Sequence, residues 1–383
     1  MIAAPRLEID LHKIHHNART LVERLRKVGI SVTGVTKATL GSAEIAATLL
    51  AAGVKRLGDS RTENIEAMHR AQVPASMTLI RSPMLSQAER VVRHADVSCN
   101  TEIEVIRRLS LEAQRAGRTH GVILMVELGD LREGIMPDDL MDTVRETLGL
   151  ANIVFKGIGT NLACRSGVAP DARNMAMLSE LADSIEATLG LAVEIVSGGN
   201  SANLEWALSG AEIGRINDLR LGEAILLGCE TLHRQPIDGL HTDAITLCAE
   251  VIEAKTKPSK PSGRIAQTAF GNGPPATDRG LITQAIVAVG QQDIDPAGLQ
   301  APAEIDIVGA SSDHLILESD HFELSVGEEV IFQLNYSALL RAMTSPFVAK
   351  VMSKRSAGDG RNLNPSPMEI AKSDLEPETV NAK

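Results

Sequence analysis

Aromatic residues are scarce in this chain: one Trp, one Tyr and five Phe among 383 residues. A surface that binds single-stranded nucleic acid by stacking bases on rings needs more than that, and the core has to be filled by aliphatic side chains. Positive charge is also short. The formal net charge is −11, the opposite of the basic footprint a DNA or RNA binder carries. The four cysteines are Cys99, Cys164, Cys229 and Cys248. None forms a CxxC pair, so neither a zinc site nor a redox motif is signalled, and no metal is expected. Reduced thiols of this kind suit a cytoplasmic protein. No run of about 18 apolar residues suggests a membrane span. The opening MIAAPRLEID places Arg6 and Glu8 where a secretory leader would need an apolar stretch.

What is present is an alternation of two periods. Up to about residue 230, short β-branched runs (31–36, 54–58, 77–80, 95–98, 122–127, 153–160, 193–196 and 219–221) are followed by stretches with helical spacing, among them 11–28, 42–50, 62–71, 101–116 and 172–188. Eight strands with intervening helices predict a parallel (β/α)8 TIM-like barrel over residues 1–232. A doubly wound open sheet shares the same alternation. From 233 to 352 the texture changes to strand-like runs (244–255, 281–289, 304–308, 315–318, 329–334) separated by Gly- and Pro-rich turns, which predicts a mostly-β C-terminal domain. Residues 353–383 hold few hydrophobes and are expected to be a disordered tail.

In a barrel, chemistry gathers at the C-terminal ends of the strands. The first strand ends at Lys37. A lysine desolvated at a barrel mouth loses pKa and can bond covalently to a carbonyl cofactor; a surface ion pair is the bland reading. The fifth strand leads into Gly129-Asp130-Leu131-Arg132-Glu133, where Arg132 can meet a carboxylate or phenolic oxygen or simply close a loop salt bridge. The seventh runs into Ser197-Gly198-Gly199-Asn200-Ser201. Small residues there let backbone amides approach a phosphate, though a plain helix cap reads the same way. The eighth carries Arg220, Gly222 and Glu223; a buried Arg220 needs an anion or acceptor, and Glu223 is one candidate. One lysine, a phosphate cradle and two arginines at strand ends are what a pyridoxal-phosphate barrel requires.

With these segments in order, namely GVTKATLG (34–41), GDSR (58–61), RSPML (81–85), VELGDLREGI (126–135), GIGTNLAC (157–164), VSGGNS (196–201), LRLGEAILLG (219–228), AFGN (269–272), GQQDID (290–295), GASSDHLI (309–316) and NYSALL (335–340), the chain resembles the alanine racemase superfamily, fold-type III pyridoxal-phosphate enzymes, and most closely its ornithine racemase branch. The resemblance implies that Lys37 holds the pyridoxal 5'-phosphate and acts as a base on one face of the substrate Cα. It implies that Arg132 contacts the ring oxygen and the substrate carboxylate, and that Arg220 faces the pyridine nitrogen and keeps it unprotonated. Asn161 would lie beside the ring, and Ser201, with backbone near Asn200, Gly222 and Glu223, would hold the phosphate. Tyr336 would line the same site. A head-to-tail homodimer with shared active sites and a basic amino-acid substrate such as ornithine are further implications.

The departures are specific. Alanine racemases proper place a tyrosine four residues after the lysine, where this chain has Gly41, and a histidine where it has Asn161. Their second base is a tyrosine from the partner subunit, and the nearest match here is Ala269-Phe270, which cannot transfer a proton. Asp293, Asp295, Asp313 and His314 are the alternatives for that role; the Asp313-His314 loop leads among them, a structural turn of the β-domain reads at least as well for His314, and the second base stays open. Two other readings stand beside the racemase: another pyridoxal-phosphate enzyme of decarboxylase or aldolase type, and a non-catalytic carrier of the cofactor.

Overall fold

The computed structural model describes residues 3–271, 277–319 and 324–353. The first strand, β1 (Arg6–Asp10), was not expected from the sequence and does not belong to the barrel. Asp10 ends it and caps helix α1 (Leu11–Arg26), its carboxylate accepting the N–H groups of His12 and Lys13. Helix α1 buries Leu11, Ile14, Ala18, Leu21 and Leu25 at helical spacing.

Eight parallel strands then close a barrel. They are β2 (Ser31–Val35), β3 (Arg56–Asp59), β4 (Ser76–Leu79), β5 (Val97–Asn100), β6 (His120–Met125), β7 (Ile153–Gly159), β8 (Ile195–Gly199) and β9 (Asp218–Leu221). The strand β9 pairs back onto β2, so the sheet has no open edge and the doubly wound alternative falls. Helices α2 (Ala43–Ala51), α3 (Thr62–Arg70), α4 (Ala88–His94), α5 (Ile103–Arg115), α6 (Pro137–Leu148) and α7 (Ala172–Leu189) fill successive connections, with short α8 (Leu204–Leu208) and α9 (Glu223–Leu227) after β8 and β9. Strand alternation separates two faces. Val97, Cys99, Ile123, Met125 and Ile195 form a small cluster of their own, apart from the large core beneath the helices. On β8 and β9 the same alternation carries Ser197, Asp218 and Arg220, so polar groups replace aliphatic ones at that side.

The remaining strands form a second sheet: β10 (Ile245–Pro258), β11 (Leu281–Val287), β12 (Leu299–Gln300), β13 (Asp306–Ala310), β14 (Leu315–Glu318), β15 (Glu329–Leu334) and β16 (Ala349–Ser353), with helix α10 (Tyr336–Thr344) between the last two. The order is β12-β15-β10-β11-β14-β13, all antiparallel. The β1 strand pairs antiparallel with β10 and parallel with β16, so both described ends of the chain lie in this sheet. Ser353 closes β16; the rest of the expected tail lies outside the described residues. Aliphatics do most of the packing, with Phe332 and Trp206 the large rings among the buried residues.

One ion pair fastens β1 to β15. Arg6, buried to 8% exposure, donates to Glu329 at 2.5 and 2.8 Å. The hydrogen bonds from Arg6 hold the Glu329 carboxyl down at about 2, from an ordinary value of 4.5. A carboxyl depressed in the fold adds stability above its unfolded pKa and loses it as pH falls through the folded one. Glu329→Gln is therefore expected to lower the melting temperature at neutral pH. The gap to wild type should narrow between about pH 4.5 and 2; a gap unchanged across that range would discount the pair.

Candidate active site

Lys37 begins a single 3-10 turn (Lys37–Thr39) at the end of β2. The strand end is locked to its neighbour: Thr36 Oγ1 donates to Asp59 Oδ2 at 2.8 Å, and Asp59, fully buried, also accepts from the Arg61 N–H (2.9 Å) and Asn64 Nδ2 (3.0 Å). Burial pushes the Lys37 ammonium below its usual range, and the nearby Arg132 guanidinium pushes the same way. At Gly41, with φ +65°, an added Cβ would stand 2.7 Å from the Asn64 carbonyl oxygen, so no side chain fits there.

The second sheet's helix reaches this turn. Asn335 caps α10 by accepting the Ala338 N–H at 3.0 Å, which puts Tyr336 first in the helix, its ring centroid 5.6 Å from Lys37 Nζ. Burial pushes the Tyr336 phenol up to about 12, so it stays protonated at neutral pH.

On β9, the strand paired with β2, stands Arg220, at 7% exposure. Its Nη1 donates to Ser197 Oγ (2.5 Å) and its Nη2 to the Thr160 carbonyl (2.7 Å) and Asn161 Oδ1 (3.4 Å). Ser197 in turn donates to Asp218 Oδ2 at 2.7 Å, and Asp218 also accepts from Thr33 Oγ1 (2.7 Å) and Arg56 (3.1 Å). Glu223, the expected bland partner of Arg220, pairs with Arg234 instead.

Asp130 pins one loop to another by accepting the N–H groups of Cys164 (3.1 Å), Arg165 (2.9 Å) and Ser166 (3.1 Å). Beside it Arg132 ion-pairs with Glu133. Asn200 Nδ2 donates to Asn161 Oδ1 at 3.1 Å, and its Oδ1 accepts the Ala202 N–H at 2.8 Å. Ser201 Oγ accepts the N–H of Ala224, inside α9, at 3.2 Å.

A cavity of about 710 Å3 collects these groups. Lys37, Arg132, Asn161, Asn200, Ser201, Arg220, Gly222, Glu223 and Tyr336 all line it. Ser197 and Gly199 do not. Ser197 works one step back, holding Arg220, and Gly199, at φ +144°, makes room for Asn203, whose Oδ1 lies 2.1 Å from where a Cβ would be. Asp313 and His314 lie in an exposed turn before β14, 2.9 Å from each other and outside this chain's cavity. Asp293 and Asp295 accept the hydroxyls of Ser345 and Ser337 and anchor the ends of α10. Phe270 is 52% exposed. Sequence reasoning assigned no role to Asp59, Asp218, Arg81, Cys164, Thr231 or Arg234. Asp59, Arg81 and Cys164 stood inside recognised motifs without a role of their own; Asp218, Thr231 and Arg234 gave no local signal.

Fold and site together define a class: a barrel with a half-buried lysine at its mouth, a buried arginine lining the same cavity, and a β-domain whose helix meets the lysine turn. Residues 9–229 match the family described as alanine racemase, N-terminal domain. The chain is 40% identical to the lysine racemase of Thermotoga maritima over 351 residues, covering 91% of this chain and 98% of that one. It is 37% identical to the ornithine racemase of Acetoanaerobium sticklandii, covering 90% and 99%. Among solved structures, the alanine racemase from Streptomyces coelicolor A3(2) superposes with a TM-score of 0.73 at 19% identity, covering 91% of this chain and 98% of that one. The D-threonine aldolase from Filomicrobium marinum gives 0.70 at 17%, covering 89% of each. The chain belongs to the alanine racemase family, whose members are pyridoxal-phosphate enzymes.

Because Tyr336 is the sole tyrosine, its environment can be read by ultraviolet absorbance. The folded protein should show little phenolate signal at about pH 10.5, where an exposed tyrosine is mostly ionised, and Tyr336→Phe should give a flat baseline. A midpoint near 10 in the folded protein would mean the phenol is not buried in the cavity wall.

Proposed function

We propose that this protein is a pyridoxal-phosphate-dependent racemase of a basic amino acid, lysine or ornithine, with Lys37 as the cofactor-bearing residue. The observation that carries the reading is the pairing of a desolvated Lys37 with the buried, fully supported Arg220 on one cavity, in a chain about 40% identical to two basic amino-acid racemases along nearly its whole length.

The residues present fit the cofactor. Asn161 Nδ2 is buried in the cavity wall without a hydrogen-bond partner among the described residues, and a polar ring oxygen beside it would supply one. Ser201 and the backbone around Gly222 would hold the phosphate, and Arg220 would face the ring nitrogen. When bound, the cofactor supplies an electron sink that acidifies the substrate Cα–H. Arg132 then orients the substrate carboxylate through its planar fork. Lys37, held low in pKa, takes and returns the proton on its own face of the Cα. Tyr336 keeps its proton and walls the site on the lysine side with its ring. An arginine rather than a carboxylate opposite the ring nitrogen argues against decarboxylation.

The opposite face needs its own acid or base. We assign it to the Asp313-His314 loop of a second subunit, in a homodimer whose β-domains complete each other's barrels. That loop is stiff enough to present a side chain: Ser311 N–H donates to the His314 carbonyl at 2.8 Å, and Gln291 and Gln292 donate to Ser311 and Ser312 at 2.9 Å. On this reading residues 1–232 form the cofactor-binding unit, with β1 lent to the unit formed by 233–352, and the protein works in the cytoplasm.

Two experiments test this. Borohydride treatment of the protein with pyridoxal phosphate should leave a pyridoxyl group on Lys37, and Lys37→Ala should abolish both that label and Cα deuterium exchange with L-lysine, L-ornithine and L-alanine. A label without exchange in any amino acid would favour a carrier. In His314→Gln, exchange from one enantiomer should persist while formation of the other falls by about a hundredfold or more. Unchanged racemisation would remove His314 from the role.

A further inference from the structure

The loop after α9, residues 229–236, has no part in the reading above. It is folded around a single carboxylate. Glu230 accepts the N–H groups of Leu232 (2.6 Å), His233 (2.9 Å) and Gln235 (2.7 Å), and the Glu230 N–H donates to the Gln235 carbonyl at 2.9 Å. A bridge between Cys229 and Pro236 closes its base. Arg234 sits in this loop with a left-handed φ of +61°, and its guanidinium ion-pairs with Glu223, the first residue of α9.

Two side chains of this loop, Thr231 and Arg234, line the same cavity as Ser201 and Gly222. The Thr231 hydroxyl is buried and has no hydrogen-bond partner among the described residues. An unpaired buried hydroxyl is destabilising, and here it sits in a cavity wall where a bound acceptor would pair it. Contacts link the group: Arg234 touches Glu223, and the next residue, Ala224, donates its N–H to Ser201 Oγ. The cavity as a whole carries five cationic side chains against two carboxylates, so it is matched to a ligand with several negative charges. An arginine has five N–H donors in a rigid fork, so one edge can keep Glu223 while the other meets phosphate oxygens.

We propose that Arg234 and Thr231 form a side-chain clasp on the cofactor phosphate, reaching it from the loop side while Ser201 and Gly222 hold it from the barrel side. The proposal rests on the pyridoxal-phosphate reading above. Glu223 aims the guanidinium, and the Glu230-centred turn keeps the loop from folding away.

The test compares two probes that differ only by the phosphate. Full-length protein freed of cofactor is titrated with pyridoxal 5'-phosphate and with pyridoxal, following absorbance. Arg234→Gln should weaken pyridoxal-phosphate binding about tenfold and leave pyridoxal binding unchanged. Thr231→Val should show the same pattern, smaller, and Arg234→Lys should recover part of the loss. Thermal melts check that each variant is folded, and the nearly isosteric Thr231→Val carries the test if Arg234→Gln is not. Equal losses for both probes, or no loss for either, would overturn the clasp. Should wild type bind neither probe, the pyridoxal-phosphate reading falls and the clasp with it. If wild type binds and Arg234→Gln binds identically, the clasp alone fails.

Discussion

Burying a guanidinium in a barrel is expensive unless its donors are answered, and the site is organised around answering those of Arg220. Its partners come from the strand beside it and the segment that follows β7: Ser197 on β8, the Thr160 carbonyl and Asn161 just past β7, and, through Ser197, Asp218 on β9 itself. Asp218 also takes Thr33 from β2 and Arg56 from β3. This chain of contacts exists only when β9 pairs with β2 and the barrel is closed. The polar network and the barrel topology thus support each other, and the cavity floor is rigid for the same reason.

The cavity's other side depends on a different coupling. The first strand of the chain leaves the barrel and is clamped between β10 and β16. Helix α10 comes from that same sheet, and its first residue, Tyr336, meets the Lys37 turn. Crossing the chain over at its start ties the two units covalently and by hydrogen bonds near the place where they share a site. Desolvation of Lys37 and of Tyr336 both follow from this closure.

Much of this was legible beforehand. Each of the eight expected barrel strands overlaps an observed one, because strands buried on both faces read as β-branched runs between helical periods. Lys37, Arg132, Ser201 and Arg220 stood out since strand ends at a barrel mouth are where reactive side chains collect. β1 escaped notice: RLEID is a short alternating segment directly before a helix, and only its pairing with strands more than 230 residues away makes it a strand. The role of Asp59 was equally silent, as its partners Thr36 and Asn64 meet it only across β2 and α3.

By itself the sequence determined the periodicities, the aliphatic core, the absence of a basic surface and the order of motifs that places the chain in its family, for these depend on neighbours a few residues apart. Tertiary structure decided the partners. Glu223 could have answered Arg220 from three residues away, yet it faces Arg234, and Arg220 is held by residues 23 and 60 positions distant. Which acceptor a buried donor finds is set by strand register and loop closure in three dimensions, and no local pattern encodes that.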